Sequence, residues 1–307
     1  MKKWTLIIVL LLTLFAQSAR AWTAAGVKQK EVQLIAKIRL QNRGNTAVSQ
    51  YLFSLTYPGD IINQQRVIGI SQSGPEKYKS ISHQNGVDRY LQFSVGLPAG
   101  AVVEREFSFK IHLQRFDQRN QRGSTDTSGN AYFLTPSTYV ESSATEVLSI
   151  SQKIVRAFVD DESRLKAAYV FPQQILSYRL IDNSGALFAI RNGYGDCTEY
   201  ASVFAALARA MGYPARLTSE FNFSDLATFD VPNHHAAEVF LNGNWIPVDP
   251  NLALDVNSGY GFGKTGLDKI VLKRDGSWVW SVNTPGTSSQ YRNAYVDATL
   301  SWSVLGK

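Results

Sequence analysis

The hydrophobic periodicity of the chain changes across a polar segment, 117–130 (DQRNQRGSTDTSGN), and this change constrains the fold more than any other feature. Before the segment, 31–40 alternates apolar and mainly polar residues, as in a half-buried strand. After it, 142–158 carries apolar residues at helical spacing. The segment itself is rich in Gln, Asn, Ser and Gly and has no period, which is typical of a linker.

The order of the predicted elements gives an α+β fold class. Short strands separated by Gly, Pro and Asn clusters predict an N-terminal β-sandwich over 22–116. Beyond the linker, the second domain is predicted over 131–307 with helices first and strands afterwards. Its predicted strands are 216–220, 236–241, 245–248, 268–272 and 294–304.

The first 21 residues have the composition of an export signal. A basic start, Lys2 and Lys3, precedes an apolar run over 5–16, and Ala19-Arg20-Ala21 offers a small-x-small cleavage site. The run is shorter than the roughly 20 residues of a membrane-spanning helix, so a cleaved signal is favoured over a retained anchor. The mature chain is therefore predicted to begin after residue 21, to lack a membrane span, and to be periplasmic or secreted.

The net charge argues against a nucleic-acid partner. The formal charge is +6, and removal of Lys2, Lys3 and Arg20 with the signal leaves +3. The remaining basic residues are scattered along the chain and form no block. A nucleic-acid-binding domain would show a basic patch or stripe.

Cys197 is the single cysteine of the chain. Exported proteins usually carry cysteines in pairs as disulfides, so a lone thiol invites an explanation. One interpretation is a small buried hydrophobe. The alternative is a reactive thiol, because Asp196 and Glu199 form a capping-box pattern that makes Cys197 the first residue of a helix. The unpaired N–H groups and dipole at that position stabilise a thiolate, and they can also bind an oxyanion.

A predicted hairpin selects the histidine. Asn242-Gly243 indicates a two-residue type I′ turn, which pairs position 241 with 244 and therefore 236 with 249. In that register His234 lies diagonal to Asp249 on one face, within hydrogen-bonding reach, while His235 points to the other face. A three-residue loop would select His235 instead. A metal site on the two histidines is disfavoured because adjacent strand residues diverge.

Cys197, His234 and Asp249 form a chemically consistent set. The histidine takes the thiol proton and later returns a proton to the leaving amine. The aspartate holds the tautomer and stabilises the imidazolium.

Three blocks of the sequence resemble the transglutaminase-like superfamily. The block 195–201 (GDCTEYA) is similar to the family's Gly-x-Cys at a helix start. The block 207–216 (LARAMGYPAR) is similar to Leu-x-Arg-Ala-x-Gly-Ile-Pro-Ala-Arg. The block 234–250 is similar to His-Ala-Trp-x-Glu followed by Trp-x-x-x-Asp-Pro, although Ala236 replaces the tryptophan after the histidine. The resemblance covers about 136–255.

The resemblance implies a papain-like core in which Cys197 is the nucleophile, His234 the base and Asp249 its orienter. It implies neither a cofactor nor a metal. Tyr178 and Asp196 are expected to line the oxyanion or substrate site. The N-terminal domain is similar to the immunoglobulin-like domains that precede such cores, and we expect it to position a protein partner or the substrate.

The expected function is hydrolysis of an amide bond in a peptide or peptide-like substrate, as by a cysteine peptidase or amidase. Amine-accepting acyl transfer, which cross-links proteins, uses the same thioester and remains the alternative. A third interpretation is a non-catalytic binding protein that uses the β-sandwich. The intact set of three residues argues against that interpretation.

Overall fold

The computed structural model describes residues 28–120, 130–283 and 295–306. The predicted signal, 1–21, lies outside the described residues, as does 121–129 of the predicted linker. Within the described part of the chain, no helix is long and apolar enough to span a membrane.

The first half of the chain forms two antiparallel sheets that share a hydrophobic core. In β1 the five residues that alternate in the sequence, from Val32 to Leu40, are all buried, which confirms the predicted strand period. Phe53 and Phe93 come from one sheet and Phe107 from the other, and they meet in the core. The strands are β1 (Gln29–Asn42), β2 (Val48–Tyr57), β3 (Gln65–Gln72), β4 (Lys79–Ser82), β5 (Arg89–Leu97) and β6 (Val102–Gln114).

The second half packs helices against a four-stranded antiparallel sheet of order β12-β11-β9-β13. This arrangement confirms the α+β class. The helices are α1 (Thr145–Ala157), α2 (Asp161–Ile175), α3 (Ala186–Asn192) and α4 (Cys197–Ala210). The strands are β7 (Ser177–Tyr178), β8 (Tyr194–Gly195), β9 (Ala215–Asn222), β10 (Thr228–Phe229), β11 (His234–Leu241), β12 (Asn244–Val248) and β13 (Lys269–Arg274).

The last two strands return to the sheets of the first half. β14 (Trp280–Asn283) pairs with β2, and β15 (Val296–Leu305) pairs with β1. Trp302 on β15 is buried in the same core as Phe53. The sequence pattern placed both segments in the second domain, 131–307, whereas their hydrogen bonds join them to the sandwich. How the chain divides into domains beyond these pairings remains a prediction.

Candidate active site

Helix α4 is held rigidly because it is enclosed on every side. Its residues from Thr198 to Arg209 are all buried, and it contacts the other three helices as well as β9 and β11. A helix that is buried all round needs small, apolar residues, and the sequence of α4 (CTEYASVFAALARA) supplies them. The first residue of this fixed helix is Cys197, whose side chain is half-buried.

The helix start carries the predicted capping box. The Asp196 side chain accepts from the Thr198 N–H at 2.9 Å, and the Glu199 side chain accepts from the Asp196 N–H at 3.1 Å. Glu199 is fully buried and also accepts from the N–H of Ser184 at 2.8 Å. A Cβ at Gly195 would lie 2.3 Å from the Glu199 Cβ, so only glycine fits here. This contact gives the Gly-x-Cys pattern a physical reason.

The hairpin has the predicted register. Leu241 pairs with Asn244 across the turn, and both turn residues have positive φ, 52° at Asn242 and 79° at Gly243. These are the angles of a type I′ turn. As a result His234 reaches Asp249, and its Nε2 lies 2.8 Å from the Asp249 Oδ2.

His234 and Asp249 form a buried, charge-stabilised pair. Burial alone would lower the pKa of His234, but the Asp249 charge and hydrogen bond outweigh it. The Cys197 side chain, through a hydrogen bond and its charge, acts in the same direction, and together they raise the pKa of His234 to about 10. Burial raises the pKa of Asp249, and the His234 partner reverses this and lowers it. The structure therefore brings the three predicted residues into one chain of contacts.

A cleft of about 670 Å³ opens at Cys197. Such a volume is in the range of ligand-binding pockets. Tyr178 and Asp196, the two residues expected beside the nucleophile, both line it. The Tyr178 side chain is 54% exposed. Burial raises the pKa of Tyr178, and the charges of Cys197 and Asp196 act in the same direction.

His235 occupies a different position from its neighbour. It pairs with Ser219 of β9 and lines the cleft, while its Nδ1 lies 3.2 Å from the Thr218 carbonyl oxygen. Burial, with smaller contributions from Lys273 and His234, lowers the pKa of His235 to about 4. It is therefore neutral at physiological pH. Within the described part of the chain, no group of three His, Cys, Asp or Glu side chains is arranged to hold a metal ion.

The comparisons with known proteins identify a family domain in the part of the chain that holds this site. A sequence model of the Transglutaminase-like superfamily matches 149–250, which contains Cys197, His234 and Asp249. Residues 149–250 form a transglutaminase-like domain. No relative is found among curated protein sequences.

A solved structure is similar to the chain well beyond this transglutaminase-like domain. A candidate cysteine protease from Cytophaga hutchinsonii matches over 91% of this chain and 92% of that chain, at 17% identity and a TM-score of 0.57. At this identity the match shows the fold, including the β-sandwich. The periplasmic domain of TgpA from Pseudomonas aeruginosa matches over 76% of this chain and 93% of that chain, at 14% identity and a TM-score of 0.33.

One wall of the cleft comes from outside the transglutaminase-like domain, and the sequence patterns did not identify it. This wall, 273–279, joins β13 to β14 and contributes five lining residues, Lys273, Asp275, Gly276, Ser277 and Val279. The sandwich holds it in place. The Thr56 N–H donates to the Val279 carbonyl oxygen at 2.8 Å, and His83 packs against the ring of Trp278 at 4.6 Å.

A buried ionic network connects the wall to the transglutaminase-like domain and to the sandwich. Arg274 lies 3.0 Å from Asp88 of the sandwich and 3.4 Å from Glu238 of β11. Glu238 in turn lies 2.7 Å from Arg216 of β9. All four side chains are almost fully buried, so each charge depends on its partner. The β-sandwich therefore helps to build the cleft and is more than an appended module.

Proposed function

We propose that the chain is an exported thiol hydrolase that cleaves an amide bond in a peptide or peptide-like substrate. Cys197 is the nucleophile, His234 the general base and acid, and Asp249 the group that orients the imidazole. The observation that carries the proposal is the contact chain from the thiol through the His234 ring to Asp249, with 2.8 Å between Nε2 and Oδ2.

The reaction follows from these positions. His234 accepts the thiol proton, and the thiolate attacks the carbonyl carbon. The resulting oxyanion lies at the start of α4, where the Cys197 backbone N–H can donate to it, and the Tyr178 hydroxyl in the same cleft is a second donor. The imidazolium then gives its proton to the departing amine, and the acyl group remains on sulfur as a thioester. Water, deprotonated by His234, attacks the thioester, releases the carboxylic acid and restores the thiol.

The pair His234–Asp249 suits this cycle because the carboxylate stays ionised while the imidazole gains and loses a proton. The buried Asp249 carboxylate keeps the imidazolium favourable after proton transfer from sulfur, while its hydrogen bond fixes the ring. Export, proposed from the first 21 residues, would place the enzyme where peptides and cell-envelope polymers are available as substrates.

The test is incubation of the protein with a mixed peptide library, with and without a primary amine, followed by mass spectrometry of the products. We expect cleaved peptides in both conditions and few amine adducts. If amine adducts are the main product, the proposed reaction must be acyl transfer and not hydrolysis. Absence of any product that depends on Cys197 would refute both reactions.

Two variants serve as controls for this assay. Cys197→Ala removes the nucleophile and should abolish product. Lys153→Met changes an exposed residue of α1 that is remote in sequence from the site and should leave product formation unchanged. A product that persists in Cys197→Ala would come from a contaminating hydrolase.

A further inference from the structure

A β-bulge at the end of β13 turns one lysine into the cleft. Val271 pairs with Glu220 and Lys273 with Ser219, so Leu272 is an extra residue without a partner on β9. In a regular ladder Leu272 would pair with Ser219 and Lys273 would lie on the opposite face. Bulges re-aim side chains and are frequent beside active sites. Here the result is a row of Lys273, Ser219 and His235 across three strands, and all three line the cleft with Cys197.

Among the residues that the structure describes, no carboxylate is paired with the ammonium group of Lys273. Within the described residues, no hydrogen bond or ion pair holds this group. Burial lowers the pKa of Lys273, and the charges of Asp88 and Asp275 oppose that shift. Both of these carboxylates are already paired with arginines. Asp88 binds Arg274 at 3.0 Å, and Asp275 binds Arg209 at 2.6 Å.

The charged group that includes Lys273 contains one more cation than carboxylates, because the three arginines are balanced by three carboxylates. The buried group around the wall contains Arg209, Arg216, Lys273 and Arg274 against Asp88, Glu238 and Asp275. His235 beside Lys273 is neutral because its pKa is lowered to about 4. Asp196, which also lines the cleft, accepts a hydrogen bond from the N-terminus of α4, and the helix dipole there stabilises its charge. Of these four cations, Lys273 is the one that lines the cleft, beside Asp275, which is paired with Arg209.

We propose that Lys273 is a specificity residue that binds a carboxylate of the substrate, so that the cleft selects acidic peptides. A half-desolvated ammonium group gains most from a charged acceptor, and a substrate carboxylate supplies it. The inference names the substrate class of the proposed hydrolase and so rests on that function. Its test, however, uses the thiol alone and does not need turnover.

The test compares two alkylating reagents that differ in charge. Iodoacetate carries a carboxylate, while iodoacetamide is neutral, and Cys197 is the only cysteine that either can modify. We expect the rate ratio of iodoacetate to iodoacetamide to be higher in the folded protein than in the urea-unfolded chain. Lys273→Met should lower the ratio by about three- to tenfold, the effect of one charge within about 10 Å at intermediate dielectric. Lys273→Arg should keep it within twofold.

The control variant Lys153→Met, on an exposed helix surface, should leave the ratio unchanged. The dependence of the rate ratio on ionic strength is measured on the unaltered protein. It therefore tests the proposal even if Lys273→Met does not fold. Raising the salt from about 0.01 to 1 M shortens the screening length from about 30 to 3 Å and should bring the ratio towards that of the unfolded chain.

Small probes distinguish the source of the carboxylate. Three probes are compared for their protection of Cys197 from iodoacetamide. Acetyl-glutamate amide carries a side-chain carboxylate, acetyl-glutamine carries a terminal carboxylate, and acetyl-glutamine amide carries neither. We expect one of the two acids to protect in a Lys273-dependent manner and the neutral amide not to protect.

A rate ratio that is independent of Lys273 and of salt would overturn the assignment, as would equal protection by all three probes. These failures differ from failure of the proposed function. The proposed function fails when the iodoacetamide rate itself does not depend on His234, whatever the ratio between the two reagents.

Discussion

Asp88 offers the sharpest test of how the sandwich supports the cleft. Its carboxylate lies in the turn before β5, is almost fully buried, and accepts from the Arg274 N–H at 2.6 Å, from Ser277 Oγ at 2.9 Å and from Asn85 Nδ2 at 2.9 Å. It also forms the 3.0 Å ion pair with Arg274. The change Asp88→Asn keeps the shape of this side chain and removes its charge.

The expected loss is large because the charge that remains is buried. Without Asp88, Arg274 keeps only the 3.4 Å contact with Glu238, and Glu238 is already bound to Arg216 at 2.7 Å. Removing one partner of a buried ion pair lowers the free energy of unfolding by about 3–5 kcal/mol. The matched control is Glu31→Gln. Glu31 pairs with Lys110 at 2.7 Å, but both side chains are more than half exposed, so its loss should hardly change the free energy of unfolding.

The assay is urea unfolding followed by tryptophan fluorescence, because Trp278 in the wall and Trp302 in the sandwich core report on both parts. We expect the midpoint of Asp88→Asn to fall well below that of Glu31→Gln. The stability that Asp88 contributes should also depend on pH. Burial tends to raise the pKa of Asp88, but Arg274 outweighs burial and keeps that pKa low. The stabilising effect of Asp88 is present above about pH 3.8 and is lost as the pH falls below that value. Equal midpoints for the two variants would refute the reasoning.

His234→Ala should lower the rate of peptide cleavage by about a thousandfold or more because the proton shuttle is lost, while His235→Ala should retain most activity. The reverse outcome would make His235 the base. Because the pKa of His235 is lowered to about 4, its contribution to stability is complete above pH 6.5 and is lost as the pH falls from 6.5 through 4. His235→Gln should flatten the pH dependence of the unfolding midpoint in that window, and an unchanged slope would contradict this. Gly195→Ala should lower the free energy of unfolding by about 1–3 kcal/mol and slow alkylation of Cys197, because the new Cβ meets Glu199 at 2.3 Å. An unaltered midpoint and alkylation rate would show that the helix start tolerates the methyl group.

Local chemistry made the elements of the candidate site predictable from the sequence. The capping box of Asp196 and Glu199 and the turn Asn242-Gly243 involve residues close in sequence, so their patterns specify the helix start and the hairpin register directly. With the register known, the contact of His234 with Asp249 follows from strand geometry.

Long-range pairing explains what the sequence patterns did not predict. The alternation of a strand such as β15 indicates which face is buried, but it does not name the partner strand, and β15 pairs with β1 more than 250 residues earlier in the chain. The bulge that turns Lys273 into the cleft has no local sequence signal either. The same holds for the network of Asp88 and Arg274, since it depends on two segments brought together only by the fold.

The alkylation rate of Cys197 by iodoacetamide at neutral pH tests the central claim most directly. Since the chain has one cysteine, every adduct detected by mass spectrometry reports on this thiol. If His234 activates it, the folded protein should react at least about tenfold faster than His234→Ala, and also faster than its own urea-unfolded chain. Equal rates in the folded protein and in His234→Ala would contradict the assignment of Cys197 as an activated nucleophile.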